Sequence, residues 1–136
     1  MSFLLDTNVV SEPRRRKPDA GVVAWLREQE SDLLFVSALT LGEIALGAEG
    51  RGRRDPAVGR SLSTWLASIR TAYSDRVLPI TGDIAETWGR LGARRPLPVV
   101  DGLLAATAIV HRLTLVTRNV RDFNGLDVRL LDPWHA

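Results

Sequence analysis

Cysteine is absent from this 136-residue chain, which excludes disulfides and thiolate metal sites and fits a reducing cytosol. Histidine is nearly as scarce: His111 and His135 are the only two, and neither stands in a motif. His111 reads as a helix-end or surface residue, and His135, next to last, as part of a mobile end. No apolar run approaches the ~20 residues that a membrane helix needs. The opening Met1 to Asp6 places no basic residue ahead of its apolar ones and is not read as a signal peptide. Repeats, low-complexity tracts and long linkers are missing, so a single domain over residues 1–136 is expected. Gly47, Gly50 and Gly52 are not followed by Gly-Lys-Ser/Thr, which removes a phosphate loop and leaves helix termination as their reading. The four tryptophans read as core or interface anchors rather than base-stacking platforms.

Strong charge of one sign is also missing: the formal net charge is +2. All but one of the 18 basic residues are arginine, however, and they are unevenly placed. They cluster as Arg14-Arg15-Arg16-Lys17, as Arg51, Arg53 and Arg54, and as Arg94-Arg95. Guanidinium forks suit phosphate oxygens, so these patches are candidate contacts to a nucleic-acid backbone. Solvated loops in an arginine-rich, high-GC genome are the competing reading.

What is present is an alternation of short apolar runs with amphipathic stretches. Phe3 to Asp6, Leu33 to Val36, Val77 to Ile80, Leu113 to Thr117 and Val128 to Leu131 read as strands. Helices are expected over Ala20 to Glu30, Ser37 to Glu49, Pro56 to about Tyr73, Ile84 to Ala93, and Val99 to Arg112. Gly50-Arg51-Gly52 is read as ending the second of these, and Thr81 or Asp83 as capping the fourth. The pattern predicts an α/β fold: a central parallel sheet of four to five short strands, flanked by helices. Ligands of such sheets sit beyond the carboxyl ends of the strands, where Asp6, Ser37 and the Thr117-Arg118-Asn119 turn all fall.

Most of the 16 acidic residues stand in polar surroundings, but a few do not. Asp6 closes an apolar strand. Glu43 lies between Leu41-Gly42 and Ile44-Ala45-Leu46, with Leu39 and Leu46 on its helical face. Asp101 follows Val99-Val100 and aligns with Leu104, Ala105 and Ala108, and Asp122 precedes Phe123. A carboxylate buried without a partner takes up a proton rather than stay charged, and converging carboxylates repel one another. A divalent cation resolves both problems, and hard oxygen ligands select magnesium, with manganese as a substitute. Helix capping or first-turn placement is the alternative for Asp101, a buried ion pair for Glu43, and a turn cap for Asp122.

These segments resemble a known family. Leu4-Leu5-Asp6-Thr7-Asn8-Val9-Val10-Ser11-Glu12 is similar to the opening of PIN-domain toxins of the VapC and FitB type. Ser37 to Gly47, Asp101 to Ala108 and Leu115 to Phe123 resemble their next three motifs, and Asp132-Pro133-Trp134-His135 resembles a FitB-like ending. The resemblance covers essentially the whole chain and implies a PIN-like fold. It implies that Asp6, Glu43 and Asp101 are the main acidic metal-site residues, with Thr7, Asn8 and Thr117 as polar neighbours that orient them. The fourth position departs from the pattern, with Asn119 where some relatives carry Asp and Asp122 three residues on. Asp122 is taken as the fourth carboxylate and Asn119 as a hydrogen-bonding neighbour, both on one face of a short helical turn. Asn119 can offer a carbonyl oxygen but no charge.

The implied activity is that of a cytoplasmic, magnesium-dependent endoribonuclease, the toxin of a type II toxin–antitoxin pair. Its partners would be an RNA substrate, a VapB-type antitoxin and a second copy of itself, with no membrane. Arg14, Arg15, Arg16, Arg94 and Arg95 are the candidate RNA contacts. Two rival classes compete. An aspartate-nucleophile phosphatase or receiver domain would want a second Asp two residues after Asp6, where this chain has Asn8. A non-catalytic PIN-fold module that grips RNA or a partner would not need Glu43 and Asp101.

Overall fold

The computed structural model describes residues 1–136. Five short strands form one sheet: β1 (Phe3–Leu5), β2 (Leu34–Ser37), β3 (Val77–Leu78), β4 (Thr114–Val116) and β5 (Leu130–Leu131). Their order is β3-β2-β1-β4-β5, and every neighbouring pair is parallel. The register sets Leu4 beside Phe35 on one side and beside Leu115 on the other. The chain therefore winds outward from β1 in both directions, and the order reverses between β1 and β4. That is where a crevice opens at the carboxyl edge of such a sheet.

Both faces of the sheet are covered, as a parallel sheet requires. The period-2 alternation of strand side chains divides the core in two. Phe3, Leu5, Val36 and Val116 enter one cluster with Val9, Val22, Trp25, Ile44 and Ile69. Leu4 and Leu115 enter the other with Ile84, Leu91, Leu104, Ala105 and Phe123. Trp25 meets Phe3 edge-on with ring centroids 5.0 Å apart, confirming it as a core anchor. The first face is covered by α1 (Thr7–Ser11), α2 (Ala20–Glu28), α3 (Ala38–Gly52) and α4 (Pro56–Ala72), the second by α5 (Gly82–Arg94) and α6 (Val99–His111).

The expected strands and long helices are present, with three corrections. The helix α1 directly after Asp6 was not foreseen: Thr, Asn, Val, Val and Ser are weak helix formers, and it is the Asp6 carboxylate, accepting from the Thr7 N–H, that starts it. Strand β3 stops at Leu78 rather than Ile80, because Pro79 has no N–H to offer the ladder. The third correction concerns the glycines. Helix α3 does not stop at Glu49 but takes in Gly50 and Arg51 and ends at Gly52. Gly52 also lets α4 come close, since a Cβ on Gly59 would lie 2.6 Å from the Gly52 Cα and 3.1 Å from the Ala48 carbonyl oxygen. Of the two capping candidates for α5, Thr81 is the one that accepts, from the Ile84 N–H.

The two kinds of glycine are separable by mutation. Gly59→Ala should destabilise the protein by about 1–3 kcal/mol, overriding the better helix propensity of alanine. Gly50→Ala, where a Cβ meets nothing within 4 Å, should stabilise it by about 0.5–1 kcal/mol. Urea unfolding midpoints decide the matter, and a neutral Gly59→Ala would show that α3 and α4 can slide apart at no cost.

Candidate functional site

Asp6 stands at the carboxyl end of the central strand and caps α1. Its Oδ1 accepts from the Thr7 N–H at 2.7 Å, and its Oδ2 accepts from the Thr117 hydroxyl at 2.8 Å. Thr117 follows β4 and is fully buried; its Oγ1 also accepts the Asn119 N–H at 3.0 Å. The hydroxyl thus ties the ends of the two strands that flank the crevice. Burial pushes the Asp6 carboxyl above its ordinary pKa. The hydrogen bonds from Thr117 and Thr7 work against that shift, and the charges of Glu43 and Asp122 add to it.

Glu43 arrives from α3, whose start is set by the Ser37 hydroxyl accepting from the Leu39 N–H at 3.0 Å. Its Oε1 accepts from the Thr7 hydroxyl at 2.7 Å. The Thr7 and Thr40 hydroxyl oxygens lie 2.9 Å apart, and because Thr7 donates its one proton to Glu43, Thr40 is the donor to Thr7. Glu43 is exposed, contrary to the reading from its apolar neighbours, and Leu46 on its face is 75% exposed. The core stripe of α3 is Thr40, Ile44 and Ala48, so Glu43 stands one position off it, at the rim. In a helix with apolar residues on several faces, spacing alone does not say which face turns inward.

Asp101 lies in the first turn of α6 and is partly buried. It is not the N-cap, a position held by Pro98 without a side-chain bond. Its carboxyl is pushed up by burial and then by the charges of Asp6 and Asp122. Asp122 lies in the 3-10 turn Val120–Phe123, where Phe123 is buried in the second core cluster and Asp122 faces solvent. Asn119 stands at the start of this turn, as expected, and its carbonyl accepts the Asp122 N–H at 3.0 Å. Its side chain bonds no acid, and Asp122 caps nothing with its own.

The fold therefore brings Asp6, Glu43, Asp101 and Asp122 into one field, and none of the four has an ion-pair partner. They do not close on a single point: no three acidic or imidazole side chains stand close enough to ligate one ion. Among the polar neighbours, Thr7 and Thr117 orient acids as expected. Asn8 does not; its Oδ1 is buried with no donor. The donor set is nevertheless all hard oxygen and unpaired with any cationic side chain, which is chemistry that suits magnesium.

Two contributors were missed by sequence reasoning. Thr40 is 1% exposed and carries the relay to Glu43; a polar residue on the Ile44 and Ala48 stripe was the available signal. Arg95 was read as an RNA contact, but its guanidinium is committed to the protein. Nη1 donates to the Asn124 carbonyl at 2.6 Å and Nη2 to the Asp122 carbonyl at 2.8 Å, pinning the turn that bears Asp122. Its partners are backbone atoms distant in sequence, so nothing local marked it. Arg14, Arg15, Arg16 and Arg94 remain exposed.

Comparison with known proteins identifies the family. The sequence matches the PIN domain family over residues 3–128. It is 34% identical to toxin FitB of Neisseria gonorrhoeae, over 98% of this chain and 99% of the relative. It is 31% identical to the VapC ribonuclease Y4jK of Sinorhizobium fredii, over 97% of each. The crystal structure of FitAcB from Neisseria gonorrhoeae superposes with a TM-score of 0.88 at 34% identity, covering 98% of this chain and 99% of that one. With matching sequence, parallel sheet order and acidic crevice, the chain belongs to the PIN-domain family, among relatives named as FitB and VapC toxins and ribonucleases.

Proposed function

We propose that this protein is a magnesium-dependent endoribonuclease, a cytoplasmic toxin held in check by a VapB-type antitoxin and active as a homodimer. The observation that supports it most is the field of four carboxylates, from four elements, with no cationic side chain paired to any of them. Manganese would serve in magnesium's place. The names of the relatives, toxin and ribonuclease, point the same way.

Asp6, Glu43, Asp101 and Asp122 are the residues that would hold the cation. When bound, magnesium polarises a phosphodiester and lowers the pKa of a water. The chain's own residues do the rest. Thr117 and the Thr7 N–H keep both oxygens of Asp6 in place. Thr40 and Thr7 keep Glu43 turned toward Asp6. Asp101 and Asp122, free of side-chain hydrogen bonds, would orient the attacking water. Neither His111 nor His135 reaches this crevice through any contact, so proton movement falls to the carboxylates.

Three outcomes follow. Asp6→Asn should lose about 100-fold or more in RNA cleavage, the rate equivalent of roughly 3 kcal/mol of lost charge stabilisation, and should spare a host that the wild type arrests. Circular dichroism should show the fold intact, and wild-type cleavage by this variant would sink the assignment.

The fourth position needs a paired comparison of cleavage rate against magnesium concentration. Asp122→Asn should be nearly inactive at every concentration, while Asn119→Ala should recover the wild-type rate at higher magnesium. The opposite ranking would make Asp122 a structural residue.

Stability supplies an independent readout. The Asp101 carboxyl is raised in the fold relative to about 3.9 in the unfolded chain, so its charge opposes folding at neutral pH and ceases to do so below that value. In metal-free protein Asp101→Asn should therefore raise Tm at pH 7, with the gain fading toward pH 4. Saturating magnesium should reverse the ranking, because only the wild type binds the ion well. An Asp101→Asn Tm that ignores both pH and magnesium would refute the placement.

A further inference from the structure

Beside the acidic centre lies a second feature that the catalytic reading does not use. A cavity of about 390 Å³ opens from Thr7 and Glu43 and is walled by Arg14, Arg15, Arg51 and Trp65. Its volume falls in the range of about 300–1,000 Å³ typical of ligand pockets. Three arginines and one glutamate line it, and Glu43 pairs with none of the three. Arg51 has no acidic partner at all. Arg15 shares its charge with Glu12 over a long 3.4 Å contact and stays 61% exposed.

The pocket is built rather than incidental. Arg14 lies over the Trp65 ring, 4.7 Å from its centroid, and donates to the Ser61 hydroxyl at 3.1 Å. That leaves most of its five N–H donors available in a fixed orientation. Glu43, Gly47 and Arg51 follow one another at four-residue spacing on α3, so they share a face. From Glu43 to Arg51 is about 12 Å along the helix. Between them Gly47 offers no side chain, and a Cβ there would meet nothing within 4 Å. An open floor thus joins a site for cations to a site for anions.

We infer that this cavity is a phosphate subsite, in which Arg51, Arg14 and Arg15 grip a backbone phosphate of single-stranded RNA adjacent to the bond held at the acidic centre. The assignment rests on the ribonuclease reading and deepens it. It gives the chain a residue outside the acid motifs, Arg51, that sets how the substrate lies across the crevice. Arg51 is a positioning residue for the substrate, whereas the acids act at the reacting bond. Guanidinium suits the role because its fork matches two phosphate oxygens at once.

The test separates the two readings. The affinity of a short fluorescein-labelled single-stranded RNA is measured against KCl concentration in chelator, where nothing is cleaved. Removing one phosphate contact from a single strand lowers the salt slope by about 0.7, so Arg51→Ala should lose that much and bind roughly fivefold more weakly near 0.1 M salt. Arg129→Ala, at the opposite edge of the sheet, should keep the wild-type slope. With magnesium, Arg51→Ala should raise KM and leave kcat near the wild-type value. Unchanged slope and KM in a folded Arg51→Ala, while the wild type binds and cleaves, overturns the subsite alone. The same holds if the variant loses only its grip on a protein partner. A wild type that neither binds nor cleaves RNA overturns both readings.

Discussion

Uncompensated negative charge at one edge of the sheet is the constraint on which the rest of this structure depends. Asp6, Glu43, Asp101 and Asp122 share one electrostatic field and none is paired with an arginine, in a chain that has 18 basic residues to offer. Neutralising the acids internally would have been simple and would have removed any appetite for a cation. The fold instead holds two of them with neutral hydroxyls and an amide, which orient a carboxylate without discharging it. Thr117 and Thr7 do this for Asp6, and Thr7 with Thr40 does it for Glu43. The burden is eased by position: Glu43 and Asp122 lie in solvent, while burial raises the pKa of Asp6 and Asp101.

The arginines divide by the same logic. Some are structural, their guanidinium groups satisfied by main-chain carbonyls: Arg95 fastens the turn bearing Asp122, and Arg76 gathers the carbonyls of Ser31, Leu34 and Ala72. Others are left to the surface. Arg51 and Arg94 have no acid within reach, and Arg14 is braced by Trp65 with most of its donors free. A charge balance close to neutral thus conceals a segregated surface, acid at the strand ends and base along its flank.

Helix packing positions the acids as firmly as hydrogen bonding does. The close approach of Gly52 and Gly59 fixes α4 against α3, and α3 carries Glu43 and Arg51 on one face. On the other side of the sheet, Trp88 lies against Gly102, where a Cβ would come within 2.7 Å of its ring. That contact holds the first turn of α6, and with it Asp101, close to α5. Small residues at these two crossings do for the site what a larger core would do by bulk.

The local signals were enough to name the parallel sheet, the long helices and the four acids, because each rests on interactions within a few residues. Apolar alternation, N-caps and a carboxylate after an apolar strand are all visible in a short window. What the local pattern could not decide was facing and partnership. Whether Glu43 lay inside or at the rim depended on which stripe of α3 met the sheet, and several stripes were apolar. That Gly52 admits a neighbouring helix as well as ending its own depended on α4, and whether Arg95 reached RNA or the chain depended on a turn 27 residues away. Helix α1 depended on Asp6 as its cap, since its own residues scarcely favour a helix. Sequence determines such features only through contacts between distant segments, so they became visible only once the sheet had brought those segments together.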